Sequence, residues 1–191
     1  MGRPNRSREA ILDAAIELAA SRGISATTMD DIAARAGVAK GSVYYNFAGK
    51  DELFGALFHE AGRTLVPLLE EAVAGEGREP LVGVVRTLLG RLQAKPDLAK
   101  LLASEVFRSD RNWSETLGAF RDAIAGSFCR AILAARPELA AHGDTMVPAM
   151  SLFGATLTAG LEWLAFEPER TLEEVADALL ALVLPPQPAA V

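Results

Sequence analysis

Three features of this 191-residue chain predict a fold built only from α-helices. Apolar residues recur at helical spacing, as at Ile11, Ala14, Ala15 and Leu18. Glycine and proline fall mostly between such segments. Extended alternating apolar runs bounded by hairpin turns are absent. The pattern resolves into about nine helices: three short ones within the first 50 residues, then a larger bundle.

The first helix covers about 7–22 and stops at Gly23, a residue suited to a left-handed cap. Thr28 and Asp31 form a capping box that opens a short helix with Ile32, Ala33 and Ala36 on one face, closed by Gly37. A third segment runs from about 39 to 46. A longer helix, about 50–74, begins with Asp51 and Glu52, which complement its dipole, and is expected to kink at Pro67. Pro80 and Pro96 each suit a first helical turn, giving helices that end before 96 and at about 107. A long amphipathic helix at 113–135 is closed by Pro137. Asp144 is placed to cap an uncharged helix at 145–166, and Thr171 with Glu174 forms a second capping box for a last helix at 172–184. The tail PPQPAAV, 185–191, is expected to be disordered.

Composition narrows the function classes. Half of the residues are hydrophobic and 23% are charged, a globular balance. A single cysteine excludes a disulfide framework, and two histidines leave little for a His-rich metal site. The N-terminus has no apolar run behind its charges, so no secretory signal is expected and the protein is placed in the cytoplasm. The uncharged stretch 145–161 has 17 residues, short of the roughly 20 that a bilayer needs, and is read as a buried or interface helix with no membrane partner. The net charge of −6 divides unevenly, +2 over residues 1–50 and −8 over the rest. A basic end on an acidic body suits a small DNA-reading unit carried by something else.

Residues 28–47, TMDDIAARAGVAKGSVYYNF, carry the strongest signal. They read as a helix, a turn at Gly37 and a second helix, the spacing of a helix-turn-helix. Ala33 and Ala36 let the two helices approach, and Val38 and Val43 fill the seam. The outer face of the second helix then shows Lys40, Gly41, Ser42, Tyr44 and Tyr45. Lysine and tyrosine reach phosphates, serine bonds a phosphate or a base edge, and glycine lets backbone lie against a base. The competing reading is a plain helical corner.

Helix AILDAAIELAASRG followed by TTMDDIAARAGVAKGSVYYNFAGKDEL strongly resembles the TetR family of ligand-responsive transcriptional regulators over about residues 7–58. The segment 92–122, including LLASEVFRSDRNWSETLGAF, resembles the effector domain of one subgroup. The resemblance implies that Thr28 caps its helix and touches a phosphate. It places base and phosphate contacts at Lys40, Gly41 and Ser42, with Tyr44 and Tyr45 bracing the DNA backbone. Lys50 meets a phosphate at the start of its helix. Arg3, Arg6 and Arg8 of the arm are expected in a minor groove. Two positions depart from the family pattern: Ala39 stands where a capping serine is common, and Asn46, kept among the DNA-contact candidates, replaces a frequent histidine.

The resemblance further implies dimerisation and small-molecule binding by the larger part. Helices at 145–166 and 172–184 are the candidates for a C2 homodimer. The first has Ser151, Gly154, Ala155, Ala159 and Gly160 for close packing beside Leu152, Phe153, Leu157, Leu161, Trp163 and Leu164, and the second is apolar on nearly all sides at 178–184. Candidates for the ligand pocket are Phe58, Leu65, Leu89, Leu92, Leu102, Glu105, Val106, Trp113, Phe120, Phe128 and Phe153. Glu105 stands out, because a carboxylate among Leu101, Leu102, Val106 and Phe107 needs a partner: Arg108, Arg111, or a cationic or hydroxylated ligand. Cys129 falls on the apolar face of Phe120, Ile124, Phe128 and Ile132 and reads as a packed thiol.

The resulting organisation is a basic arm at 1–6, a helix-turn-helix domain at 7–49, a ligand-binding and dimerisation bundle at 50–184, and the tail at 185–191. The expected function is that of a repressor released from a palindromic double-stranded operator by a small lipophilic or aromatic effector. No catalytic motif, cofactor or metal site is expected. The alternative is a helical small-molecule-binding protein or enzyme whose helix-turn-helix is only structural.

Overall fold

A computed structural model describes residues 3–106, 108, 110–143 and 145–184. Among them are nine α-helices and no strand: α1 Arg3–Arg22, α2 Met29–Ala36, α3 Lys40–Asn46, α4 Lys50–Ala72, α5 Glu79–Ala94, α6 Pro96–Glu105, α7 Ser114–Ala135, α8 Met146–Phe166 and α9 Leu172–Ala181. The all-α expectation and its helix count therefore hold among the described residues. Most helix bounds agree to within two residues, and three features differ further. The first helix begins at Arg3 rather than near 7, so most of the expected arm is its first turn. A 3-10 turn, Pro137–His142, lies where only a helix stop was read. The last helix ends at Ala181, three residues early. Asp144 and the tail 185–191 lie outside the described residues.

The chain divides into two compact units, Met1–Gly62 with Asp97–Ala119, and Arg63–Pro96 with Phe120–Val191. The first 13 residues of α4, α6 from Asp97 onward and the start of α7 thus cluster with the short N-terminal helices. Helices α4 and α7 each run through both units.

The first unit is organised around Ile11, Ala15, Ile24, Ile32, Val43, Phe47, Leu53, Phe54 and Phe58, all buried. Gly23 ends α1 at φ 83° with its N–H on the Ala19 carbonyl at 2.8 Å. That left-handed conformation is easy only for glycine. Phe54, Phe58 and Trp113 form an aromatic cluster with ring centroids 5.7–6.2 Å apart.

In the second unit α5 packs against α8 and α9. α8 turns Ala149, Leu152, Phe153, Thr156, Gly160 and Trp163 inward. It is long and apolar enough to cross a membrane by composition, yet this face is buried in protein. A Cβ at Gly160 would run into Leu92 and Leu89, so this glycine sets the approach of α8 to α5. Expected to serve a subunit interface, Gly160 instead packs within its own chain, as do Leu152, Phe153 and Trp163. Gly83 does the same for α5 and α4, where an added Cβ would lie 2.7 Å from the Ala72 carbonyl oxygen. The Trp163 indole donates to the Arg170 carbonyl at 2.9 Å. Phe128 and Phe153 meet edge to face at 5.9 Å. Cys129 is half-buried, its thiol donating to the Thr145 carbonyl at 3.5 Å.

Candidate nucleic-acid interface

The reading head is built from its caps. Thr28 adopts an extended conformation ahead of α2, and its hydroxyl accepts from the Asp31 N–H at 3.1 Å. The Asp31 carboxylate in turn accepts from the Thr28 N–H at 3.2 Å and from its hydroxyl at 2.7 Å, completing the capping box. These bonds, and after them the Arg22 guanidinium at 2.6 Å, hold the Asp31 carboxyl below the usual carboxylate range. At the other end Gly37 sits at φ 66° and donates to the Ala33 and Ala34 carbonyls. One left-handed residue thus ends α2 and turns the chain into α3.

α3 has seven residues and buries only Val43. Lys40, Gly41, Tyr44 and Tyr45 are exposed, Tyr44 by 46% and Tyr45 by 88%. An aromatic side chain as exposed as Tyr45 gains little for the fold. Gly41 is more telling still. It has an ordinary helical backbone, and a Cβ added there would meet nothing within 4 Å. Glycine inside a helix costs about 0.5–1 kcal/mol relative to alanine, and nothing within the chain requires it here. Ala39 makes no side-chain cap at the start of α3, as its departure from the family pattern implies.

The remaining predicted residues are placed less simply. Lys40 is tied to Asp30 of α2 at 2.8 Å and lies 5.9 Å from the Tyr44 ring centroid. The Asp30 hydrogen bond holds the Lys40 ammonium above its usual range. Asn46 bends its amide back to the Ser42 carbonyl at 2.8 Å, where it braces the helix instead of facing outward. Ser42 is half-buried. Lys50 is half-buried too, and its ammonium donates to three carbonyls of the α1–α2 turn: Ile24 at 2.9 Å, Ser25 at 3.3 Å and Thr27 at 3.2 Å. Arg6 is exposed, whereas the Arg3 side chain lies outside the described residues. Arg8 is held between the Phe47 ring, 5.4 Å to its centroid, and Glu60 at 3.2 Å. Arg35 pairs with Glu17. Four of the seven basic residues at 1–50, Arg8, Arg22, Arg35 and Lys40, are therefore paired with carboxylates. The two tethers, on Lys40 and Lys50, carry no signal at neighbouring sequence positions, which is why the sequence did not reveal them.

Of the pocket candidates, Phe58, Glu105 and Trp113 are buried in the first unit, with Leu102 and Val106 half-buried. Leu65, Leu89, Leu92, Phe120, Phe128 and Phe153 are buried in the second. Of the partners open to Glu105, Arg111 is the one beside it, its Nε 3.7 Å from Oε2. Arg108 pairs with Asp110 at 2.8 Å.

Residues 11–57, which span this head, match the family model described as bacterial regulatory proteins, tetR family. The head is a TetR-family domain. An HTH-type transcriptional repressor, Rv3405c of Mycobacterium tuberculosis, is 40% identical over 108 aligned positions, covering 49% of this chain and 55% of that protein. The chain thus spans about half the length of the curated TetR-family relatives it matches. Among solved structures, the MbdR regulator from Azoarcus sp. CIB superposes with a TM-score of 0.76 at 26% identity, covering 93% of this chain and 97% of that one. FadR from Bacillus subtilis, solved in complex with stearoyl-CoA, superposes with a TM-score of 0.74 at 21% identity, covering 92% and 97%. The fold shared with these two regulators therefore extends over the C-terminal helices as well as the head.

Proposed function

We propose that this chain is a ligand-responsive repressor that binds a palindromic DNA operator as a C2 homodimer and is released from it by a small effector. The observation that carries the reading is the bare outer face of α3. Its glycine is unneeded by the fold, and exposed Lys40, Tyr44 and Tyr45 flank it. Open space over a helical glycine admits a base edge or sugar-phosphate backbone at close range. Gly41 and Ser42 read bases in this account. Thr28, Lys40, Tyr44, Tyr45 and the arm arginines Arg3 and Arg6 hold the phosphates or the minor groove. Asn46 and Lys50 act as positioning residues behind that surface, since their polar atoms are spent on carbonyls of the head.

The homodimer is assigned to 145–184, where Met146, Val147, Phe166 and Leu182 remain exposed. A two-fold axis there sets two copies of α3 about one DNA turn, ~34 Å, apart. The effector is lipophilic or aromatic. The same fold in B. subtilis FadR holds stearoyl-CoA, so it accommodates a long apolar ligand. Effector binding favours a head spacing that no longer fits the operator. A coupling of ~1–3 kcal/mol weakens DNA binding ~5–150-fold. The protein is cytoplasmic and performs no catalysis in this reading.

The test is a titration of the DNA flanking the gene with purified protein, followed by fluorescence anisotropy with random duplex as competitor. Binding to one palindromic segment at least ~10³ times tighter than to random duplex is expected. Equal, weak binding to all duplexes would favour a helical small-molecule-binding protein whose helix-turn-helix is structural.

A further inference from the structure

Three buried side-chain polar atoms among the described residues have no hydrogen-bond partner, and all belong to one short stretch of the first unit: Glu105 Oε2, Arg111 Nε and Trp113 Nε1. Glu105 is 5% exposed at the end of α6, and Trp113 is 3% exposed just ahead of α7. Buried polar groups are nearly always satisfied in folded proteins, so three together mark a place that the described residues leave incomplete. The Glu105 and Arg111 atoms face each other at 3.7 Å, too far for a hydrogen bond. An oxygen about 2.8 Å from each would bond both.

The chemistry of the missing group follows from the donor set. One carboxylate oxygen needs a donor, while two N–H groups need an acceptor. A hydroxyl does both through one atom. A ligand carboxylate is repelled by Glu105, and an ammonium satisfies Glu105 but neither N–H. Apolar walls adjoin the cluster, because the Trp113 ring packs on Phe54 and Phe58 and the Arg111 guanidinium lies 5.7 Å from its centroid.

We propose that Glu105, Arg111 and Trp113 form a binding subsite for the hydroxyl of an uncharged aromatic or lipophilic alcohol, and that Arg111 reports its occupancy to the reading head. The second part rests on the regulator reading above. Arg111 also donates to the Ser25 hydroxyl at 2.9 Å. The Ser25 carbonyl is one of the three held by Lys50, and Thr28, three residues on, caps α2. A ligand oxygen drawing on Arg111 Nε turns the guanidinium away from Ser25 and loosens the turn from which the helix-turn-helix starts.

The experiment uses full-length protein with 15N-labelled tryptophan, which gives two indole signals, assigned with Trp113→Phe. Trp163 serves as internal control because its N–H is already bonded to Arg170. Benzyl alcohol is the probe, and toluene is the same ring without the hydroxyl. Benzyl alcohol is expected to shift the Trp113 signal, with toluene at least tenfold weaker and the Trp163 signal still. Ser25→Ala keeps the Trp113 shift but removes the effect of benzyl alcohol on operator affinity. A Trp113 signal unmoved by benzyl alcohol, or moved equally by toluene, overturns the subsite, as a trapped water would produce. A Trp113 shift in a protein that binds no operator upholds the subsite and refutes the regulator reading. Operator binding with a silent Trp113 does the reverse.

Discussion

The Lys50 ammonium donates a 2.9 Å hydrogen bond to the carbonyl of Ile24, 26 positions earlier in the chain. With Ser25 and Thr27 also accepting, one side chain at the start of α4 gathers the carbonyls of the turn that leads into α2. A lysine whose three donors converge on the backbone is a clip for the head.

Replacing that clip with Lys50→Met is therefore expected to destabilise the protein by about 1.5–3 kcal/mol, the usual worth of hydrogen bonds to a charged group. Its operator affinity falls with an unchanged salt dependence, because no phosphate contact is lost. Thermal unfolding and anisotropy at several salt concentrations measure both. A slope shallower by about one unit, with unaltered melting, would return Lys50 to the phosphate contacts.

Two glycines respond oppositely to the same change. Gly41→Ala is expected to stabilise the free protein by about 0.5–1 kcal/mol, since its methyl enters open space and alanine is the better helix former. The same variant binds operator less well, and random duplex nearly as before. Gly83→Ala is expected to destabilise by about 1–3 kcal/mol, because its methyl meets the Ala72 backbone carbonyl, which cannot rotate aside. Melting curves of the two variants decide the matter.

Freeing Lys40 from its tether should strengthen DNA binding. Asp30→Asn removes the carboxylate that now holds the Lys40 ammonium, and with it one negative charge on the proposed DNA-facing surface. Tighter binding to all duplexes and a steeper salt dependence are expected. Stability should hardly change, an exposed ion pair contributing little. Unaltered affinity would place the Lys40–Asp30 pair away from the duplex.

The capping box of α2 gives a prediction in pH. The Thr28 hydrogen bonds, then Arg22, hold the Asp31 carboxyl low in the folded protein. Its folded value lies below its unfolded one, so the stabilisation is complete above the ordinary aspartate value of about 3.9 and is lost as pH falls through the lowered value. The stability difference between the native chain and Asp31→Asn should hold steady from about pH 7 to 5 and shrink below about pH 4. A difference constant down to about pH 2.5 would show that the carboxylate charge contributes nothing.

Legibility in the sequence followed the range of the interaction. The caps at Thr28, Gly37 and Thr171 were readable because partner and cap lie within four residues, and the helices between them followed from apolar spacing. The outward set on α3 was readable for the same reason, since its seven residues offer only one inward position. The Lys50 carbonyl cluster and the Arg111–Ser25 bond join residues at least 23 apart and leave no local trace. Gly160 was legible as a site of close packing, but not which surface comes close. Glu105 was conspicuous as a carboxylate in an apolar run, and the choice of Arg111 over Arg108 needed the turn geometry after α6.

Gly41 and Tyr45 play almost no part in holding the head together. Single substitutions at these positions can drift without passing through a misfolded intermediate. After gene duplication, sister copies are thus free to change this surface one step at a time, each step leaving a folded head.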